Sequence, residues 1–418
     1  MTKDLKRAVG CGIAVLVVGA VGFSGCSLLL AQFRDEHFVD LPNPPDDSDL
    51  VVHPLDLPDD ENAYLYYVRA AQSVYWTADQ DEQVRGLRDG DEWDPEFAEA
   101  FLAQNQKAWN LYQKGLACEW AQGPLDDPED ERFALETHEN EGLRALVVAR
   151  LRTLMARGEE EAAFDEAFDL VEYGHTLKAC QGATIHSLHG ASLQAIALDT
   201  LRGLLPHTTL PAAQLAAYAQ QLEKYKHDED AVADVFRGEH AAAIRMMTQD
   251  PSMARVVQQN RMRARLAEAT RKAIESAGKP YAEADLVEVE DRGTLGFALD
   301  VLSRNVMGSF LYDMHVGMLP GLFGGVCRRR SEMSATQVLL ALRAYHLDTG
   351  SLPESLEELV PDYLAEIPLD YFDGKPIKYS PSKKLVYSVG YDLVDAGGWE
   401  DTSGKTGQMG EPSWAIEF

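Results

Sequence analysis

The chain has 418 residues, 45% of them hydrophobic and 25% charged, which suits a folded protein long enough for two or three domains. Its 68 acidic against 38 basic residues give a formal charge of -30, which repels nucleic acid and makes a nucleic-acid partner a poor expectation. The five cysteines, Cys11, Cys26, Cys118, Cys180 and Cys327, contain no C-x-x-C pair, so zinc-ribbon and thioredoxin-type chemistry have no support.

The N-terminus sets the expected compartment. Lys3, Lys6 and Arg7 precede a run from Ala8 to Phe33 that carries no charge. Such a run exceeds the ~20 residues needed to cross a hydrocarbon core. The basic flank predicts a cytoplasmic N-terminus and an extracytoplasmic bulk. "FSGC", ending at Cys26, also resembles a lipobox, in which that cysteine is lipidated. Both readings predict a membrane partner, reached through an N-terminal helix over 1–33 or through lipidated Cys26.

Residues 34–59 are rich in proline and aspartate and predict an extended linker. From 60 to 330 the pattern is helical, an antiparallel bundle or an irregular array of helical hairpins. "WDPEFAEAF" offers Asp94 as N-cap and Pro95 at the first helical position, and Asp127–Pro128 repeats that grammar. Later segments repeat apolar residues at spacings of three and four, punctuated by Gly158 and Gly182. His186 and His189 sit three apart on one such segment, with His175 upstream. That spacing can place two imidazoles on a metal, so a metal-dependent envelope hydrolase is the alternative function. Without H-E-x-x-H, packing or surface histidines are the plainer expectation.

Pro251 to Ala277 predicts a long helix bearing Arg255, Arg261, Arg263, Arg265, Arg271 and Lys272, read as a solvated basic face. Residues 292–320 predict one or two buried helices, and "CRRRSEMSATQ" marks a boundary at 330/331.

The last part, 331–418, predicts a small α+β module. "DTGS" at Asp348 matches an aspartic-protease signature, but a helical stripe through Val338, Leu342 and Tyr345 leads into it. Gly350 then reads as a helix cap and Pro353 as a stop. Ser355 and Glu358 form a capping-box pattern, Asp373–Gly374 a turn, and "PIKYS" and "LVYSVG" a β-hairpin.

In order, "YHLDTGSLP", "LEELV", "IPLDYFDGKPIKY" and "SVGYDLVDAGGWED" resemble the C-terminal half of the type II secretion major pseudopilin over residues 335–403. Anchor, helical body and this module together look like a group of exported bacterial proteins of unassigned activity. The resemblance implies a calcium-stabilised loop with Asp392, Asp395 and Asp401 as side-chain ligands and backbone carbonyls completing the shell. The apolar run lacks the acidic residue of a prepilin leader, so filament assembly is not implied. The expected function is structural or protein-binding at the cell envelope, with an envelope protein as partner and no catalytic residues assigned.

Overall fold

The computed structural model describes residues 39–89, 93–124, 138–181, 184–249, 252–253, 257–289, 300–301, 305–398 and 411–418. The described chain is mainly helical, with a small three-stranded antiparallel sheet near its C-terminus. It divides into two compact units. The smaller contains Met1–Asp49, Ala243–Glu268 and Glu288–Gly317; the larger contains Leu50–Ala242, Ala269–Val287 and Met318–Phe418.

The larger unit begins with α1 (Ala63–Ser73), α2 (Asp81–Asp89), α3 (Pro95–Gln104) and α4 (Gln106–Leu116). It continues with α5 (His138–Arg157), α6 (Glu160–Ala179), α7 (Thr184–Leu204) and α8 (Ala212–Gln221). Local chemistry sets several ends. Asn62 caps α1 by accepting from the Tyr64 amide, and Asp94 caps α3 by accepting from the amides of Glu96 and Phe97. Gly158, at φ +70°, ends α5 and lets α6 start two residues later. Asp127 and Pro128 lie outside the described residues. One apolar core runs through these helices, with Tyr67, Phe101, Leu146, Leu170, Leu198 and Leu215 among its buried members.

The register of α6 against α8 is visible in side-chain bonds. Gln214 donates to Glu161 at 2.9 Å, Tyr218 to Asp165 at 2.7 Å, and Tyr225, just past α8, to Glu172 at 2.9 Å. The constant offset makes the two segments parallel, with α7 as the returning helix between them. The α6–α7 crossing is backbone against backbone: a methyl group added at Gly174 or Gly190 would overlap the other residue's carbonyl oxygen.

Three further helices contribute to both units: α9 (Glu229–Thr248), α10 (Gln259–Ser276) and α11 (Val306–Thr349). α11 runs without a break through 330/331, so the expected boundary falls inside a helix. Several residues of the polar run that suggested it are buried, although Arg328 is exposed. Arg330 binds Asp228, Ser331 donates to Asp370, and Gln337 donates to the Ala219 carbonyl. α10 starts at Gln259 rather than near Pro251, because two distant residues cap it there, as described below.

α11 ends at Thr349, and Gly350, at φ +78°, returns its amide to the His346 carbonyl. The Ser355–Glu358 capping box holds a short 3-10 turn over Leu356–Leu359. β1 (Lys378–Ser380) and β2 (Leu385–Tyr387) form the expected antiparallel pair, with Tyr379 opposite Val386. A third strand, β3 (Ser413–Ala415), pairs on the other side of β2, with Trp414 opposite Val386. Three residues after a proline are too few for an alternation signal, so β3 was not legible in the sequence.

The smaller unit has its own buried residues, including Met247, Val257, Met262, Leu266, Leu311, Tyr312 and Val316. The Arg265 guanidinium lies 3.9 Å over the centre of the Tyr312 ring. No helix among the described residues is long and apolar enough to cross a membrane, and the Ala8–Phe33 run lies outside them.

Candidate functional site

Asp348, from the "DTGS" motif, lies in the exposed last turn of α11 rather than at the end of a strand. Its carboxylate accepts from the Tyr363 hydroxyl at 2.9 Å. That is the geometry of a helix end.

The histidine segment is packed into the helical core. His186 is buried on α7, and its Nε2 lies 2.8 Å from the Tyr64 hydroxyl, with the rings edge to face. His175, on α6, packs edge-on against Tyr225, and burial together with Lys178 lowers its pKa. Burial and Arg144 do the same for His189. Among the described residues no group of three or more His, Cys, Asp or Glu side chains is placed to hold a metal.

A buried ionic group was not legible in the sequence. Asp228 accepts from Arg330 Nε at 2.9 Å and Nη2 at 2.6 Å, and its other oxygen accepts from Lys178 Nζ. Burial works against the Asp228 charge, yet Lys178 and Arg330 hold its carboxyl below the ordinary range. Arg330 also donates to the Ala277 carbonyl at 2.7 Å, joining α11 to the end of α10. The partners are far apart in sequence, and no local pattern connects them.

Asp370 is a second buried carboxylate. It accepts from Ser331 at 2.9 Å, Ser388 at 2.8 Å and the amides of Phe372 at 3.1 Å and Val389 at 2.8 Å. One side chain thereby fastens α11, its own turn and the exit of β2. Glu166, buried on α6, behaves differently: burial first, then the charge of Asp169, pushes its carboxyl up to about 8. Cys118, Cys180 and Cys327 are free thiols, and burial pushes Cys327 up to about 12. A groove of about 250 Å³ beside β3 is lined by Arg202, Leu339, Trp414 and Phe418 among others. Arg202 within it already binds Glu332 at 3.0 Å and Thr336 at 2.8 Å.

Asp392 and Asp395 both lie on the C-terminal loop, while Asp401 lies outside the described residues. Asp392 accepts from the Val394 amide at 3.0 Å. Asp395 accepts from the Gly397 amide at 3.0 Å and the Tyr387 hydroxyl at 3.2 Å. The donor set is oxygen throughout and suits a hard cation. The carbonyls of Gly397 and Gly398 accept from Lys383 Nζ, at 2.7 and 3.1 Å, so an ammonium occupies them. Glu411 spans the same turn from the far side, taking the amides of Ala396 and Gly398.

The stretch expected to be an extended linker is fastened at its beginning. Asp40 accepts from the amides of Asn260 at 3.1 Å and Arg261 at 2.8 Å, the free donors of α10's first turn. Asn305 takes the neighbouring Gln258 amide at 2.8 Å. Arg261 donates to the Val39 carbonyl at 2.7 Å, and Arg263 makes two bonds to Asp47, each 2.6 Å. Part of the basic stripe is therefore engaged rather than free in solvent: Arg261 and Arg263 bind the segment that follows the apolar run, Arg265 lies on Tyr312, and Lys272 pairs with Asp285 at 3.2 Å. Arg255 lies outside the described residues.

No family model, no curated protein and no solved structure matches the chain.

Proposed function

We propose that the chain is a membrane-anchored, extracytoplasmic protein of the cell envelope, with a structural or protein-binding role. The observation that carries this reading is the fastening just described. A long uncharged run behind Lys3, Lys6 and Arg7 leads within a few residues into carboxylates locked onto α10. An anchor joined this tightly to a folded body suits a protein that holds something in place. The strongest titratable candidates also do structural work: Asp348 accepts from Tyr363, His186 meets Tyr64, and Asp228 and Asp370 join helices. The pseudopilin-like order of motifs over 335–403 supports an envelope setting.

Calcium belongs to this reading as a ligand of the C-terminal loop. Asp392, Asp395, Asp401 and the carbonyls of Gly397 and Gly398 are the groups that would hold it, in place of the Lys383 ammonium. Its contribution would be to neutralise the loop.

The test is alkaline-carbonate extraction of membranes, protease accessibility on intact cells and a pull-down of the full chain. The expected result is a chain that stays with the membrane, is cut from outside and brings down a defined protein. A chain released by carbonate, or one protected from external protease, overturns the reading. Stoichiometric zinc in the purified chain, lost on His186→Ala, would replace it with a hydrolase at His175, His186 and His189.

A further inference from the structure

The smaller unit differs in charge from the rest of the chain. It holds eleven of the 38 basic and fourteen of the 68 acidic residues, so it carries only -3 of the formal -30. Beyond the uncharged run it also holds six of the 11 methionines, side chains that adapt to irregular apolar partners.

The first turns of α11 in this unit have two faces. Ser309, Leu311, Tyr312 and Val316 point inward and are buried. Val306, Met307 and Phe310 point outward, and Phe310 is 60% exposed. Residues at i, i+1 and i+4 share one side of a helix, so the three form a continuous apolar patch. The buried face is already satisfied, so the patch is not needed to close the core of this unit.

The same unit fixes where the leading segment arrives. Asn305, immediately before α11, binds the Gln258 amide, and Asp40 binds the amides of Asn260 and Arg261. Residues 40 and 305 thus share one helical turn of α10, and the patch starts next to the point where the leading segment is tied down. From Phe33, the end of the uncharged run, to Asp40 is seven residues. Fully extended, they span at most ~25 Å. The headgroup layer is reached within that length.

We propose that Val306, Met307 and Phe310 form a membrane foot, seated at the headgroup–acyl boundary of the bilayer that the Ala8–Phe33 run enters. The occupant is lipid rather than a second copy because the short tether confines the patch to the surface of its own membrane. Lys3, Asp4, Lys6 and Arg7 lie across the bilayer in the anchored reading, so the rest of this unit carries -5 and meets far less repulsion at anionic headgroups than the remaining -27 would. The inference rests on the anchored reading proposed above.

The test uses the full chain in nanodiscs of phosphatidylcholine with one-fifth phosphatidylglycerol. Benzoylphenylalanine replaces Phe310, Met307 or, as a measure of background labelling, the exposed Leu188. After irradiation, lipid adducts at 310 and 307, at least tenfold above those at 188, are expected. Adducts to protein alone at 310 and 307, or lipid labelling no higher than at 188, overturn the proposal. Carbonate extraction of the same samples separates the two readings. If the chain is released, anchor and foot fall together; if it stays but 310 and 307 do not label lipid, the foot alone falls.

Discussion

Glu166 sits in the helical core with its carboxyl held at about 8, against an ordinary value near 4.5. The folded chain therefore binds this proton more tightly than the unfolded chain between those two values. Its contribution to stability declines as pH rises through that window. Glu166→Gln removes the group, so the variant gains on the wild type by at most ~1.4 kcal/mol per pH unit. Urea unfolding at pH 5 and pH 8 measures the gap; an equal gap at both would remove burial as the cause. The Asp228 group makes a different prediction. With Lys178 and Arg330 it holds two buried cations and one anion. Asp228→Asn leaves both cations unpaired and should cost ~3–5 kcal/mol, whereas Lys178→Met leaves a neutral pair and should cost clearly less. The reverse order in denaturant melts would show that Lys178, not Asp228, organises the group. At the surface, Lys383 competes with any cation for the carbonyls of Gly397 and Gly398. Lys383→Met should lower ion-free stability by under ~1 kcal/mol and tighten Ca²⁺ binding. Calorimetric titration of both proteins reads this directly, and unchanged affinity argues against competition.

The α6–α7 crossing depends on two glycines that a sequence reading passes over. Gly174 and Gly190 face each other with no room for a methyl group. Gly190→Ala should therefore destabilise by ~1–3 kcal/mol, although alanine is the better helix former. A melting temperature at or above that of the wild type would show that the helices can move apart at little cost. What was legible at this scale is what is local. Asp94, Gly158, Gly350 and the Ser355–Glu358 box act within a few residues, and each ends or starts a turn where the sequence placed it. The start of α10 was not legible, because its capping carboxylate, Asp40, lies 220 residues away from Asn260. The 330/331 boundary falls inside α11 for a related reason. A run of arginine and serine reads as surface, and only the fold supplies the buried partners Asp228 and Asp370 that let it continue as helix.

The whole molecule is less modular than its sequence. The expected order was anchor, linker, helical body and terminal module. The structure instead builds two units from interleaved segments, and α9, α10 and α11 each contribute to both. Paired glycines and aspartates mark the C-terminal loop in the sequence. Lys383 and Glu411, which hold that loop, carry no motif and were missed. The acidity is likewise uneven: -27 of the -30 belongs to the larger unit, a difference that composition alone cannot display.

The fastening of residues 39–47 has a mechanical consequence. Tension that reaches residue 39 meets two fixed points: Asp40 passes the load to the first turn of α10, and Asp47 passes it to Arg263 one turn further on. Force that reaches residue 39 is thus delivered to α10, instead of being spent in straightening residues 41–46.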